Sequence, residues 1–250
     1  MHIASIASRC LTVVAALIAL PTFAAETHVA VAANFSEPAK QIATSFERAT
    51  GHRAVLAFGA SGAFYTQISH GAPFEVFLSA DAERPAKAEK EGLAVPGTRF
   101  TYAVGKLVLY SAVPGLVDSK GAILASGRFD KIAIADPATA PYGVAAIKTM
   151  QRLGLHGALK SKLVTGSSIA QTYQFTSTGA AQLGFVALSQ VITVSGGSRW
   201  IVPARLHTPI DQQAVLLKTG AQNPAATAFV KYLKSRAALA IIRRYGYTIR

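Results

Sequence analysis

Residues 54–69 read AVLAFGASGAFYTQIS, and this stretch decides the fold class. An apolar run of β type, residues 54–58, leads into the small residues 59–62, and apolar side chains then recur at helical spacing until Gly71. Strand, small-residue turn and helix, in that order, form the unit from which parallel α/β sheets are built. The stretch therefore predicts an α/β fold.

The same unit recurs on both sides of this stretch, without a linker, an internal repeat or a low-complexity segment. Predicted strands cover residues 28–33, 54–58, 74–78, 106–110, 131–135, 183–187 and 213–217. Predicted helices begin at or near Ser36, Ser61, Asp81, Pro141, Ser168 and Pro224. Ser36 and Asn223 carry the side chains that favour helix N-caps. We expect mostly parallel sheets flanked by helices.

The first 24 residues have the features of a secretory signal peptide. Arg9 supplies the positive charge, an apolar run ends at Leu20, and residues 22–24 (TFA) form a small-residue cleavage pattern. The run is about half the roughly 20 residues that a membrane-spanning helix needs, so we expect export to the periplasm. Cys10 is the only cysteine, and its removal leaves no thiol for disulfides, thiolate catalysis or metal ligation.

The chain is strongly basic, with a formal net charge of +13. Without Arg9 it has 24 Lys and Arg against 12 Asp and Glu, a net charge of +12. These charges are scattered, and an exported protein meets little nucleic acid, so we expect no nucleic-acid partner. Two interpretations stay open. In the first, the positive electrostatic field attracts small anions or an anionic membrane surface. In the second, the positive charge only keeps the protein soluble.

Two turns between a predicted strand and a predicted helix consist of small or amide-bearing residues, AANFS at 32–36 and GASG at 59–62. Small residues let an anion approach the backbone, and a helix N-terminus presents unpaired N–H groups with partial positive charge. Asn34 and Ser61 add side-chain donors. Ordinary helix capping is the commoner explanation of either turn taken on its own.

An enzymatic interpretation of the same residues is weaker. The GASGA segment around Ser61 resembles a hydrolase nucleophile turn but has Ala63 where the last glycine belongs. The four histidines available as its base are expected at the surface, without an acidic partner: His52, His70, His156 and His207. Tyr245 and Tyr247 are compatible with a tyrosinate iron site, but two tyrosines at this spacing more commonly lie on one face of a terminal β-strand. We expect no catalytic residues.

Four segments resemble the periplasmic molybdate-binding proteins. They read AVAANFSEPAKQIATSFERATG (30–51), FGASGAFYTQISHGAPFEVFLSAD (58–81), IADPATAPYGVAAIKTMQRLG (134–154) and YLKSRAALAIIRRYGYTI (232–249). The resemblance implies a type II periplasmic binding fold of two α/β lobes with an anion held in the cleft between them. It places residues 25–104 and 211–250 in lobe one and residues 105–210 in lobe two.

The resemblance also implies which residues bind the oxyanion. Asn34 and Ser61 come from lobe one, with Ser61 offering both its hydroxyl and its backbone N–H. Tyr142 and Ile169 come from lobe two, each through its main-chain N–H at a helix start. Some family members add a tyrosine hydroxyl where this chain has Ala187, and others have serine at the position of Asn34, so the number of side-chain donors is open.

The four positions carry no charged side chain, so an anion there is held by uncharged donors. A tetrahedral dianion carries only acceptor oxygens, which suits such a cage. Protonated phosphate needs an acceptor carboxylate and is disfavoured. The resemblance implies molybdate, then tungstate, as the ligand, with sulfate or another oxyanion as the alternative. Molybdenum is then present only within bound molybdate, no cofactor is needed, and the expected partner of this monomer is an ABC permease of the inner membrane.

Overall fold

The computed structural model describes residues 24–249. The predicted signal peptide, including Cys10 and apart from Ala24, lies outside the described residues. Among the described helices, none combines the length and the apolar character that a membrane crossing requires.

Strands and helices alternate through the described chain. The strands are β1 (Glu26–Ala32), β2 (Arg53–Gly59), β3 (Val76–Leu78), β4 (Phe100–Gly105), β5 (Leu107–Ser111), β6 (Ile132–Ala135), β7 (Leu163–Gly166), β8 (Leu183–Ala187), β9 (Ser198–Ile201) and β10 (Ile210–Leu216). The α-helices are α1 (Ser36–Thr50), α2 (Ser61–Ser69), α3 (Glu83–Lys90), α4 (Ile123–Ser126), α5 (Pro141–Arg152), α6 (His156–Leu159), α7 (Ile169–Ser177), α8 (Leu188–Val191), α9 (Pro224–Tyr232) and α10 (Arg236–Arg244). Short 3-10 helices cover Ala33–Phe35, Lys160–Lys162, Ala204–Leu206 and Lys218–Gly220.

The strands form two five-stranded sheets, in the orders β2-β1-β3-β10-β4 and β7-β6-β8-β5-β9. In each sheet four strands run in one direction and one runs against them, β10 in the first sheet and β5 in the second. The chain enters each of these antiparallel strands after crossing over from the other sheet. The predicted α/β class with mostly parallel strands is therefore confirmed.

Parallel strand pairing places the predicted strand-to-helix turns side by side, one pair of turns in each sheet. β1 and β2 align Ala32 with Gly59, so the turns that follow them lie side by side. In the second sheet β6 and β7 align Ala135 with Gly166, which places the starts of α5 and α7 side by side in the same way. The carboxyl ends of parallel strands are where α/β sheets present their ligand sites.

Each sheet has its own apolar core, and one of the two cores extends across the cleft. The core of the first sheet contains Val29, Ile42, Phe46 and Phe229, all fully buried. The core of the second sheet contains buried side chains such as Leu107, Ile134, Met150 and Phe185, and it also includes Ala33, Ala60 and Ala80 from the first sheet. Small alanines at this contact let the two halves approach closely, so the cleft is closed.

Three local predictions are wrong. Ser36 is not an N-cap but the first residue of α1, and its hydroxyl donates to the Ala33 carbonyl at 2.8 Å because the 3-10 turn Ala33–Phe35 precedes the helix. Tyr245 and Tyr247 follow α10 without entering a strand, and only an isolated bridge joins this segment to β4. His207 is buried, with its ring Nδ1 2.7 Å from the Thr208 carbonyl, instead of exposed.

One predicted helix cap is confirmed, and a second cap lies where the start of a helix was predicted. The Asn223 side chain accepts a hydrogen bond from the Ala225 N–H at 2.9 Å, with Pro224 at the first position of α9. The Ser168 side chain accepts from the Gln171 N–H at the start of α7. Both side chains satisfy a backbone donor that the first helical turn leaves unpaired.

Candidate functional site

The four predicted oxyanion-binding residues surround a single small cavity between the sheets. Asn34, Ser61, Tyr142 and Ile169 line it and are 3, 1, 1 and 4% exposed. The remaining walls of this cavity are Ala32, Ala33, Gly59, Ala60, Ala80, Ala140 and Pro141. The structure thus brings together residues that are up to 135 positions apart in the chain.

Ser61 is the first residue of α2 and presents two donors to this region. Its oxygen accepts a hydrogen bond from the Ala80 N–H at 2.9 Å, which leaves the hydroxyl proton to donate. Its backbone N–H belongs to the first turn of α2, where the helix supplies no partner. The same N-terminal turn carries partial positive charge, which favours an anion.

The second sheet presents two helix starts to the cavity. Pro141 occupies the first position of α5 and has no N–H, so Tyr142 carries the first backbone donor of that helix. Ile169 is the first residue of α7. The Ser168 cap accepts from Gln171, deeper in the turn, and leaves the Ile169 N–H available. Both predicted contacts from this half are therefore main-chain donors at helix N-termini.

The side chain of Asn34 does not act as predicted. Its amide nitrogen donates to Gln212 Oε1 at 2.8 Å and to the Tyr247 hydroxyl at 3.0 Å, which uses both amide protons within the protein. The expectation that this side chain adds a donor to the cage is therefore corrected. Asn34 can still contribute its backbone N–H, which lies in the first turn of the 3-10 helix Ala33–Phe35.

No charged side chain lines the cavity among the described residues. A nearby cation that sequence analysis missed is Arg84, whose guanidinium is paired with Asp81 and also donates to the Ala138 carbonyl at 3.1 Å. Because this charge is neutralised locally, the cavity is an assembly of neutral donors. Such a lining fits an anion that has only acceptor atoms.

Three buried tyrosines surround the back of the site. Burial raises the pKa of the Tyr102 and Tyr142 hydroxyls well above the ordinary value, and it raises the pKa of Tyr247 to about 12. All three hydroxyls therefore stay protonated at neutral pH. They act as neutral hydrogen-bonding groups and add no negative charge that would repel an anion.

The contacts do not support the enzymatic and iron-binding alternatives. The Ser61 oxygen accepts from a backbone N–H, and the ring nitrogens of His70 and His207 lie against carbonyl oxygens elsewhere. The Tyr247 hydroxyl lies within hydrogen-bond distance of Asn34 and Ser189. Within residues 24–249 no group of three or more His, Cys, Asp or Glu side chains is arranged to hold a metal ion.

Comparisons with known proteins agree with this architecture over nearly the whole chain. The family model of the bacterial extracellular solute-binding protein matches residues 27–248. The molybdate-binding protein ModA of Rhodobacter capsulatus is 61% identical over 230 residues, covering 92% of this chain and 91% of the relative. ModA of Azotobacter vinelandii is 57% identical over 236 residues, covering 93% and 94%.

A solved structure matches the fold as well. The periplasmic molybdate-binding protein of Azotobacter vinelandii superposes with a TM-score of 0.87 at 44% sequence identity, covering 90% of this chain and 99% of that chain. The predicted fold, two α/β halves with a cleft between them, is therefore confirmed by the topology and by this similarity.

Proposed function

This chain belongs to the bacterial extracellular solute-binding protein family, and we propose that it captures molybdate in the cavity between its two sheets for delivery to an ABC importer. The observation that supports the ligand class best is the cavity lining, where helix starts and a hydroxyl offer neutral donors and no charged side chain is present. Like its relatives, the chain is a molybdate-binding protein and not an enzyme, and molybdate is its ligand rather than a cofactor.

The proposed cage consists of the backbone N–H groups of Asn34, Ser61, Tyr142 and Ile169 together with the Ser61 hydroxyl. A fully ionised oxyanion accepts hydrogen bonds at every oxygen, so each donor of the cage has an acceptor. Hydrogen bonds to a charged group contribute about 1.5–3 kcal/mol each, so the five donors together contribute about 7.5–15 kcal/mol, against the roughly 8 kcal/mol of micromolar binding. The surplus offsets the cost of ordering the site and closing the lobes.

The lobe boundaries belong to the same proposal. We assign residues 25–104 and 211–250 to lobe one and residues 105–210 to lobe two. The strand membership of the two sheets supports this division, since β5 to β9 lie in the second sheet and the other strands in the first. An anion that touches both lobes binds the closed state more tightly than the open state and shifts the population toward closure.

The location and the partner follow from the proposed function. Export by the signal peptide places the mature protein in the periplasm, where the closed, molybdate-loaded monomer docks on an inner-membrane permease. Tungstate has the same charge and shape as molybdate, and we include it as a second ligand. Sulfate is the competing candidate, because the donor pattern alone does not distinguish one tetrahedral dianion from another.

Titration calorimetry of the mature protein with four anions tests the proposal. We expect tight binding of molybdate and tungstate, and at least about 100-fold weaker binding of sulfate and phosphate. Equal affinity for sulfate and molybdate would identify the protein as a general oxyanion binder. The absence of heat with all four anions would overturn the proposed function.

A further inference from the structure

Gln212 occupies the centre of the buried polar groups behind the cavity, although it does not line the cavity. It lies on β10, is 0% exposed, and uses both ends of its amide. Its Oε1 accepts from Asn34 Nδ2 at 2.8 Å and from the Tyr102 hydroxyl at 3.0 Å. Its Nε2 donates to the Tyr142 hydroxyl at 3.2 Å. A buried amide with every polar atom satisfied has a fixed orientation.

Two of these partners belong to opposite halves of the proposed cage. Asn34 comes from the turn after β1 in the first sheet, and Tyr142 comes from the start of α5 in the second. Gln212 therefore connects one anion-binding turn from each lobe through a single side chain. Its strand, β10, resumes the first sheet after the chain has returned from the second, so it lies beside the connection between the lobes.

Gly105, at the end of β4, makes room for this connection. A Cβ atom there would lie 2.2 Å from the Tyr142 hydroxyl oxygen and 2.7 Å from Gln212 Nε2. Neither distance is compatible with van der Waals contact, so a larger residue would separate the two groups. The missing side chain lets the Tyr142 ring reach across from the other lobe.

We propose that Gln212 is a positioning residue that ties the two halves of the oxyanion cage together and sets molybdate affinity without touching the anion. The proposal rests on the proposed function and adds a residue to it. Holding the Asn34 amide fixes the turn that presents its backbone N–H, and holding the Tyr142 hydroxyl fixes the start of α5. The backbone N–H groups of Asn34 and Tyr142 are then already oriented toward the cavity in the ligand-free protein, which reduces the ordering required on binding.

The neighbouring Gln213 provides a matched control. It is a glutamine on the same strand and its side chain is also hydrogen-bonded, but its partners are Thr101 and Arg99. The pairing of β10 with β4 shifts register between these two residues, and of the two only Gln212 contacts Asn34, Tyr102 and Tyr142. Replacing either glutamine by leucine removes the same chemical groups from the same strand.

The first experiment measures molybdate affinity by calorimetry for Gln212→Leu, Gln213→Leu and the unaltered mature protein. We expect Gln212→Leu to weaken binding by at least about tenfold, and Gln213→Leu to change it by less than about twofold. Binding by the unaltered protein tests the proposed function separately. If the unaltered protein binds molybdate and both variants bind equally well, the role assigned to Gln212 is wrong.

A second variant gives a readout that loss of packing alone would not produce. In Gln212→Glu a protonated carboxyl keeps one acceptor for Asn34 and one donor for Tyr142, whereas the ionised form places a negative charge behind the anion. Burial raises the pKa of such a carboxyl. The titratable groups around it are the hydroxyls of Tyr102, Tyr142 and Tyr247, which stay neutral, and the carboxylate of Asp81 beside Tyr102.

We therefore expect Gln212→Glu to bind molybdate nearly as well as the unaltered protein at about pH 5, and progressively worse toward about pH 8. The matched variant Gln213→Glu is expected to follow the unaltered protein over the same range. Such a pH profile, present only in Gln212→Glu, supports the proposal even if Gln212→Leu does not fold. Parallel profiles for Gln212→Glu and Gln213→Glu would overturn it.

Discussion

Ser61 is the side chain on which the proposed site depends most. Ser61→Ala removes the one hydroxyl donor of the cage, and a hydrogen bond to a charged acceptor contributes about 1.5–3 kcal/mol. We expect molybdate affinity to fall by about 10- to 100-fold in calorimetry. Ser69→Ala is the control, because Ser69 lies at the other end of α2, where its hydroxyl donates to the Thr66 carbonyl at 2.8 Å. A loss of less than about twofold for Ser61→Ala would remove this hydroxyl from the cage.

Tyr247 gives a prediction about alkaline stability. Burial raises its pKa from 10.0 to about 12 in the folded protein. Since the folded-state pKa lies above the unfolded one, the contribution to stability is complete below about pH 10 and is lost as the pH rises toward about 12. We expect the free energy of unfolding, measured with urea, to decline over this window. Tyr247→Phe should show a shallower decline, and an identical decline would contradict the assignment.

At the scale of single residues, the sequence was informative where function depends on a local turn. Ser61, Tyr142 and Ile169 each stand directly at a helix start, which turn composition and a family resemblance can locate. The role of Gln212 and the engaged amide of Asn34 could not be predicted this way. Their contact joins positions 178 residues apart, and no local pattern encodes it.

The helix caps allow a test at the scale of elements. Ser168 caps α7 beside the cavity, and Ser235 caps α10 away from it by accepting from the Ala238 N–H at 3.2 Å. Alanine at either position should lower the free energy of unfolding by about 1 kcal/mol. Only Ser168→Ala should also weaken molybdate binding, because Ile169 follows that cap directly. Equal molybdate affinity in the two variants would show that the start of α7 does not contact the anion.

Strongly patterned elements were predicted well and weakly patterned ones were not. Strand β8 and the start of α5 occur where apolar runs and a helix-initiating proline indicate them. Strands β4, β7 and β9, which read FTYAVG, LVTG and SRWI, were not predicted, since polar residues or glycine interrupt their apolar runs. The Ser36 cap failed because the 3-10 turn before α1 takes the place of an extended N-cap residue.

The approach of the two lobes is a property of the whole molecule, and Gly62 is one of its contact points. Its N–H donates to the Thr139 carbonyl of the opposite lobe at 2.8 Å, and a Cβ there would lie 2.8 Å from the Thr139 Cα. Gly62→Ala should therefore hinder closure and weaken molybdate binding by at least about tenfold. The ligand-free melting temperature should not fall, because alanine favours the helix.

The measurement for this variant is small-angle scattering with and without molybdate, together with calorimetry. Gly157→Ala serves as the control, because a Cβ at this helical glycine meets no atom within 4 Å. We expect the unaltered protein and Gly157→Ala to become more compact with molybdate, and Gly62→Ala to do so less. Full compaction and full affinity in Gly62→Ala would show that this contact does not govern closure.

The proposed binding of molybdate requires uncharged donors from both lobes to meet at one point. Crystals of the mature protein grown with molybdate, measured at the molybdenum absorption edge, locate the metal atom directly. We predict one anomalous peak in the cavity, with oxyanion oxygens about 3 Å from the Ser61 hydroxyl and from the backbone nitrogens of Tyr142 and Ile169. A peak outside the cavity, or contacts to Lys or Arg side chains in place of these donors, would contradict the account.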